Sequence, residues 1–286
     1  MPSSEKDLKE FLGCSGQTVL IEISSIRGSA PREKGTWMLV SKSGSFNTIG
    51  GGQLEYMAID EARALLNKNS RYETSMDVPL GPEIGQCCGG HVQLKLSILD
   101  DSMMKIVVSR FRKELASHPH VYIFGAGHVG NALVEALLLL PVHIELVDGR
   151  EAELAKATDA VVKRHLALPE TLVREAPPNS AFVILTHDHA LDFLLTKEAL
   201  SRGDAAYVGM IGSDTKRAKF CNWLKRETGG HLNSEVLACP IGGGSISDKR
   251  PEVIAALTAA EIVTRFATKS NEFASDFELL TPGLDS

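Results

Sequence analysis

The sequence contains no uninterrupted apolar run long enough to cross a membrane. Its most apolar stretch, residues 132–147, is broken by two glutamates, a proline and a histidine, whereas a spanning helix requires ~20 consecutive apolar residues. The first ten residues are acidic and polar, without the basic start and apolar core of a secretory signal. We therefore expect no membrane segment, no export, and a cytoplasmic location.

The chain also lacks an excess of basic residues. It carries 30 Lys and Arg against 36 Asp and Glu, a formal net charge of −6, and a nucleic-acid-binding surface would need the opposite balance. We therefore expect no nucleic-acid partner. Cysteines are few and odd in number, five in all, which predicts free thiols in a reducing compartment and not a disulfide framework.

The first part of the chain combines short strands with one amphipathic helix. Strands are predicted at residues 18–25, 37–40 and 91–98 from their apolar and alternating patterns. Apolar residues at three-and-four spacing after residue 52 predict a helix. These elements predict an α+β domain over residues 1–103. Residues 104–119 are interpreted as a connecting helix and linker, because proline follows His118.

The remainder predicts a different architecture, in which apolar strands alternate with helices. Strands are expected at residues 121–124, 142–147, 181–186 and 207–211, and helices at 129–140, 191–201, 214–226 and from 251 to about 266. This alternation is typical of parallel sheets. The predicted fold class is α/β, with the N-terminal α+β domain followed by a Rossmann-like, doubly wound parallel-sheet domain over residues 120–270. Residues 271–286 are expected to be a mobile tail.

Two neighbouring thiols, Cys87 and Cys88, lie in the glycine frame Gly-Gln-Cys-Cys-Gly-Gly at residues 85–90. Flanking glycines allow unusual backbone conformations and the close approach of a ligand. Adjacent side chains on an extended segment point to opposite sides, so the two thiols are badly placed to chelate one ion. We expect one thiol to face a ligand while the other packs. The alternative is a pair of core cysteines beside a tight turn.

A glycine-rich loop of the dinucleotide-binding type follows the first strand of the second domain. It contains Gly125, Gly127 and Gly130 and opens a helix, and Asp148 ends the next strand. Such glycines allow a tight turn and the approach of a pyrophosphate, and the acid can accept hydrogen bonds from a ribose. The alternative is a Rossmann-shaped domain that binds no dinucleotide. His128 places a titratable group where a phosphate would lie.

Three further sets of residues are candidates for anion or metal binding. Gly50, Gly51 and Gly52 precede a helix, where free amide groups form an anion site, or they form only a turn. Arg27 and Arg32 flank a turn and can clamp a phosphate with forked donors, or remain simply solvated.

The third set, His187 and His189, follows a predicted strand end. With Asp192 it can hold a metal or cradle a phosphate. The alternative is a polar loop with an Asp capping the next helix. Cys221 and Cys239 are interpreted as packing residues.

The motifs together resemble the XdhC/CoxI family, the xanthine dehydrogenase accessory proteins. The resemblance spans almost the whole chain in order and is carried by residues 27–33, 48–55, 85–90, 124–130, 186–189, 210–213 and 240–242. Cys88 occupies the Cys-Gly-Gly position that the family shares. Cys87 belongs to the double-cysteine form typical of the xanthine dehydrogenase branch.

This resemblance implies a maturation factor of purine catabolism with no turnover of its own. Such a protein would bind the molybdenum cofactor (molybdopterin), protect it during sulfuration and deliver it to the molybdenum-binding subunit of xanthine dehydrogenase. It implies a cysteine desulfurase as the sulfur source, and we expect a homo-oligomer. Cys88 would be the metal-ligating thiolate or sulfur carrier, which suits a soft ligand. A nucleotide in the Rossmann domain is a further expectation.

Two other function classes fit parts of the sequence. An NAD(P)-dependent oxidoreductase would use the Gly125 loop but would have no need of the glycine-framed cysteines. A metal-dependent hydrolase would be built around His187, His189 and Asp192, but this ligand set is short.

Overall fold

The structure is a computed structural model that describes residues 4–68, 73–81, 89–243 and 248–280, with side chains to residue 268. The described chain divides into two compact units, residues 4–116 and residues from 117 onward. The predicted helix at 103–116 therefore belongs to the first unit and does not form a linker at 104–119. Its apolar residues Val107 and Phe111 are buried in the core of that unit.

The first unit is built on a five-stranded antiparallel sheet with strand order β3-β2-β1-β5-β4. Its elements in chain order are α1 (Glu5–Cys14), β1 (Thr18–Arg27), β2 (Trp37–Ser41), β3 (Ser45–Phe46), α2 (Gly52–Lys68), β4 (Thr74–Pro79), β5 (His91–Ile98) and α3 (Asp101–Ala116). The sequence pattern had indicated neither α1 nor β4. The sheet and its three helices make this unit α+β.

Strand β2 shows why both faces of this sheet are covered. Successive side chains of a strand point to opposite faces, and all five residues of β2 are buried. Met38 and Val40 pack in the cluster that contains the apolar face of α2. Trp37 and Leu39 pack in a second cluster with residues of α1 and α3. The antiparallel sheet therefore lies between α2 on one side and α1 with α3 on the other.

The second unit contains a six-stranded parallel sheet with strand order β11-β10-β9-β6-β7-β8. Its strands are β6 (His120–Phe124), β7 (His143–Asp148), β8 (Val162–His165), β9 (Ala181–Ile184), β10 (Tyr207–Met210) and β11 (Leu237–Ala238). Its helices are α4 (His128–Leu137), α5 (Glu151–Leu154), α6 (Glu170–Glu175), α7 (His189–Ser201), α8 (Asp214–Thr228) and α9 (Pro251–Leu280). Numbered within the unit, the order is 3-2-1-4-5-6, that of dinucleotide-binding sheets.

The chain order reverses between β6 and β9, which are neighbours in the sheet. In open α/β sheets, ligands bind at the carboxyl ends of the strands beside such a reversal. Phe124 ends β6 at this point, and Gly125 follows it directly. The fold therefore positions the glycine loop at the crevice of the sheet.

The last helix, α9, continues well past the expected end near Phe266 and reaches Leu280. No glycine or proline interrupts the chain between Phe266 and Leu280, and the first proline comes at Pro282. Residues 281–286 of the expected tail lie outside the described residues. Within the described chain, no helix combines the length and apolarity needed to cross a bilayer.

Candidate functional site

Two of the three loop glycines are required by the packing of the protein itself. Gly125 has φ +122°, and a Cβ there would lie 2.3 Å from the carbonyl oxygen of Leu185. A Cβ on Gly130 would lie 2.0 Å from the carbonyl oxygen of Gly125. Side chains at these positions would collide with backbone, so Gly125 and Gly130 hold β6, the loop and α4 in close contact.

Gly127 is different, because the space above it is open. Its φ is −75°, a value that any residue adopts, and a Cβ there would meet no atom of the described residues within 4 Å. Gly127 is the N-cap of α4, and no side chain among the described residues caps this helix start. The first amide groups of α4 are therefore presented to open space, with the positive end of the helix dipole behind them. Packing against the described residues therefore does not require a glycine at this position.

The Asp148 carboxylate is buried and accepts four hydrogen bonds. Oδ1 accepts from the backbone N and Nε of Arg150, at 2.9 and 3.0 Å, and Oδ2 accepts from Ala126 N and Arg150 Nη2, both at 2.8 Å. Burial raises the pKa of this carboxyl, but the hydrogen bonds from Arg150 and Ala126 outweigh it and lower the pKa to about 2. The ionised Asp148 carboxylate thus connects the glycine loop to the end of β7 by hydrogen bonds.

This arrangement differs from the predicted role of Asp148 as a ribose acceptor. A carboxylate has about four acceptor positions, and the loop and Arg150 fill all of them, so a ribose hydroxyl finds no free one. Arg150 instead contributes positive charge, because its side chain is 40% exposed and its Nη1 forms no hydrogen bond with the described residues. The site is therefore better suited to an anion than to a ribose diol.

Two cavities flank the glycine loop. One, of about 200 Å³, lies at the crevice of the sheet and is lined by Gly125, Asp148, Thr186 and His187 among others. The second, of about 790 Å³, runs along the start of α4 and includes Gly127, His128, Asn131, Arg150 and Lys156. The structure thus places His187 beside Gly125, and His128 with Gly127 in the larger cavity.

Asp192 does not act with His187 and His189 as a metal-binding set. Its buried carboxylate accepts hydrogen bonds from Thr186, through N and Oγ1, and from Lys216 Nζ. These three residues do not form a cluster of metal ligands within the described chain. Asp188 caps α7 by accepting from Ala190 N, as the capping interpretation predicts. His189 is exposed at the first position of α7.

In the first unit, the turn that contains Gly50, Gly51 and Gly52, where an anion site is predicted, holds a carboxylate of the chain itself. Glu55 Oε2 accepts hydrogen bonds from Thr48 Oγ1, Ile49 N and Gly51 N at 2.5, 3.2 and 3.1 Å. All three glycines have positive φ, so the turn itself also requires them. The turn before α2 thus has its own hydrogen-bond acceptor, the Glu55 carboxylate.

The turn that carries Arg27 and Arg32 contacts both other glycine segments of this unit. Ser29 forms a β-bridge with Gly89, and a Cβ on Gly50 would lie 2.8 Å from a ring carbon of Pro31. The two arginines are exposed and form no ion pair with the described residues. Their charges are therefore free to act on a ligand.

Cys87 and Cys88 lie outside the described residues, but both ends of their segment are fixed. Leu80 N donates to Gly90 O and Gly89 N donates to Leu80 O, both at 2.8 Å. Gly89, the residue after Cys88, is thereby anchored beside the arginine turn.

The other cysteines have the environments of packing or surface residues. Cys239 is buried in the core of the second unit, and burial raises the pKa of its thiol to about 11. Cys221 packs against the same core and is partly buried, while Cys14 is exposed. A protonated, buried thiol is a poor ligand and nucleophile, which agrees with the packing interpretation of Cys239.

Three residues that organise these sites were missed from sequence. Glu55 lies three residues after Gly52, a spacing at which an acid can reach back to a helix start. Arg150 lies two residues after Asp148, near enough for an ion pair. Lys216 is 24 positions from Asp192 and carries no local signal.

Two family models, one curated protein and one solved structure are similar to this chain. The XdhC Rossmann domain family matches residues 121–262, and the XdhC and CoxI family matches residues 15–75. The uncharacterized protein YqeB of Escherichia coli K12 is 26% identical over 251 residues, covering 85% of this chain and 42% of that protein. A crystal structure titled as a xanthine dehydrogenase from Bacillus halodurans superposes with a TM-score of 0.75 at 16% identity, covering 92% of this chain and 96% of the other.

The fold and loop define a two-unit protein whose second unit is a Rossmann-type domain. The matched residues fall in both units, on the antiparallel sheet and on the parallel one. The chain belongs to the XdhC and CoxI family, as the motifs had indicated. It spans less than half the length of its curated relative YqeB.

Proposed function

We propose that this protein is a xanthine dehydrogenase accessory protein that binds the molybdenum cofactor, protects it during sulfuration and inserts it into the enzyme. The observation that carries the proposal is the family match in both units, and the uncapped helix start with open space at Gly127 supports it. The partners of this function are the molybdenum-binding subunit of xanthine dehydrogenase and a cysteine desulfurase. The protein acts in the cytoplasm, as a homo-oligomer, in purine catabolism.

Cys88 is the soft ligand in this proposal, with Cys87 in support. Cys88 directly precedes Gly89, whose backbone is bridged to Ser29 in the arginine turn. Cations near a thiol lower its pKa and favour the thiolate, the form that binds metals or carries sulfur. Arg27 and Arg32 supply those cations, since neither is paired with a carboxylate of the described residues.

In the second unit, the start of α4 is the candidate site for a phosphate-bearing ligand. The amide groups after Gly127 and the free Nη1 of Arg150 provide the donors, and His128 lines the same cavity. The start of α2 is less suited, because Glu55 holds the place of an anion there. Bound cofactor would supply the molybdenum chemistry, while the chain binds, orients and shields it.

Cofactor content tests this assignment. We expect wild-type protein, purified from cells that make the cofactor, to contain molybdenum and pterin. Cys88→Ala and the Cys87/Cys88 double variant should lose them, and Cys14→Ala, which removes an exposed thiol of the same unit, should not. If the folded Cys88→Ala protein carries as much cofactor as wild type, Cys88 is not the ligand.

Enzyme maturation tests the accessory role separately. Xanthine dehydrogenase made in cells without this protein or any relative should assemble but remain inactive, since the factor limits cofactor insertion and not the folding of its target. Adding the purified, cofactor-loaded protein should restore activity. Full activity without it would refute the accessory role.

The oxidoreductase hypothesis is less well supported by the site. Asp148 has no free acceptor position for the ribose of a nicotinamide dinucleotide. Calorimetric titration with NAD, simple nucleotides and the cofactor separates the two functions. We expect the cofactor to bind more tightly than NAD.

A further inference from the structure

A cluster of three potential metal ligands lies at the amino ends of β6 and β7, the edge of the sheet opposite the glycine loop. His120 begins β6, and His143 begins β7. They are direct partners in the parallel register, and Glu145 follows on the same face of β7. One ligand atom from each of the three residues lies within 4.8 Å of the other two.

Neither histidine forms a hydrogen bond to another side chain of the described residues. The Nδ1 atom of His120 is buried and has no hydrogen-bond partner among the described residues. A buried nitrogen without a partner is costly, and native structures rarely leave one unexplained. His143 Nε2 lies 3.8 Å from Glu145 Oε1, beyond hydrogen-bond distance. The two imidazole rings are close, with centroids 4.6 Å apart.

These separations suit an ion held between the ligands. Zn–N and Zn–O bonds of about 2.0–2.2 Å in a tetrahedral site place ligand atoms roughly 3.3–3.5 Å apart. Small rotations of the imidazole rings would bring the present separations into that range. Two imidazoles and one carboxylate form a ligand set that zinc uses in proteins. His143 is 42% exposed at its side chain, so an ion can enter from solvent.

The carboxylate is also oriented by a neighbouring residue. Arg164 on the adjacent strand β8 donates from Nε to Glu145 Oε2 at 2.8 Å, which leaves Oε1 directed toward His143. Outer hydrogen bonds of this kind fix ligating carboxylates and strengthen metal sites. On this geometry we propose that His120, His143 and Glu145 form a site for a divalent transition-metal ion of the Zn²⁺ class, separate from the cofactor site.

The test uses the full-length protein, stripped of metal by a chelator and titrated with Zn²⁺ by calorimetry and with Co²⁺ by absorption. We expect one ion per chain whose Co²⁺ spectrum shows d–d bands without thiolate charge transfer, which separates this site from Cys87 and Cys88. His143→Ala should weaken binding more than about ten-fold. The matched control His231→Ala removes an exposed histidine of the same unit and should bind as wild type does.

A second measurement guards against a misfolded variant. His143→Gln keeps the polar side chain, and its circular dichroism and metal-free thermal unfolding should match those of the wild type while the ion is lost. Site-specific NMR shifts of the His120 and His143 imidazoles on adding Zn²⁺ should identify the ligands directly. Absence of ion binding in the wild type, undiminished affinity in folded His143→Ala, or thiolate bands only would overturn the proposal.

Discussion

Asp148 and Arg150 form a two-pronged ion pair, with Nε to Oδ1 at 3.0 Å and Nη2 to Oδ2 at 2.8 Å, at the end of β7. Forked pairs of this type combine charge with fixed geometry. The same carboxylate accepts the amide of Ala126 in the glycine loop, so one residue ties the loop to the neighbouring strand. Asp148, which the sequence pattern assigned to a ligand, therefore holds the glycine loop in place.

Asp148→Asn should lower the free energy of unfolding by about 1–3 kcal/mol, because it weakens hydrogen bonds to a buried charge. The exposure of Arg150 keeps the loss below that of a fully buried pair. Urea denaturation at neutral pH measures this change in the free energy of unfolding. Asp159→Asn is the control, since its carboxylate is exposed and pairs only with Lys163 on the surface. Equal stabilities of wild type and Asp148→Asn would contradict the bracing role.

The stability difference between wild type and Asp148→Asn should depend on pH. The pKa of Asp148 is lowered from 3.8 to about 2 in the folded protein, so its contribution is fully present above the unfolded value and is lost as pH falls through the folded one. We expect the difference to be constant above about pH 5 and to shrink between about pH 4 and pH 2. Denaturant titrations of both proteins across this range would show it. A difference that grows on acidification would be inconsistent with the ion pair.

Gly127→Val should block anion binding and leave the fold nearly intact. The open space above Gly127 limits the cost to under about 1 kcal/mol, while the side chain would occupy the approach to the α4 amides. The matched variant Gly130→Ala should instead cost about 1–3 kcal/mol, because its Cβ would collide with Gly125 O. Thermal unfolding and calorimetry with the cofactor and pyrophosphate separate the two effects. Undiminished binding by Gly127→Val would place the anion elsewhere.

Glu55→Ala should destabilise the first unit by about 1–2 kcal/mol, because the amides of Ile49 and Gly51 lose their acceptor. Asp60→Ala, an exposed acid on the same helix, should change stability by less than about 0.5 kcal/mol. Inorganic phosphate should partly restore the thermal stability of Glu55→Ala by binding the vacated helix start. It should have no such effect through α2 in the wild type. The absence of any loss in Glu55→Ala would refute the capping role.

Cys239 should resist alkylation in the folded protein. Burial raises the pKa of its thiol to about 11, so almost none is thiolate at neutral pH. Iodoacetamide followed by peptide mass spectrometry should label the exposed Cys14 in the native protein, and Cys239 only after denaturant is added. Rapid native labelling of Cys239 would mean that its pocket opens readily.

The sequence predicted the parallel-sheet domain well because its strands are apolar and its glycine loop has a fixed spacing. It predicted β5 from strict alternation. The shorter β8, with Lys163 and Arg164 in a half-exposed edge strand, carries no such pattern and was missed. The sequence predicted the end of α3 at residue 116, but not that Val107 and Phe111 of this helix are buried in the core of the first unit.

The sequence predicted where the candidate site residues lie better than it predicted which residues they contact. Gly125 and Gly127 fit one motif. Only the structure distinguishes Gly125, which packing requires, from Gly127, next to which there is open space. Asp192 was grouped with nearby histidines, whereas its partner Lys216 lies far along the chain. Pairings between distant residues depend on tertiary packing, which a local pattern does not encode.

The hydrogen bonds of Leu80 with Gly89 and Gly90 limit how far a change in the cysteine segment can affect the sheet. Leu80 and Gly90, on the two sides of this segment, are hydrogen-bonded to each other next to the paired strands β4 and β5. Insertions or replacements there need not shift the register of the sheet. The antiparallel sheet can therefore keep its pairing while the sequence of this segment changes.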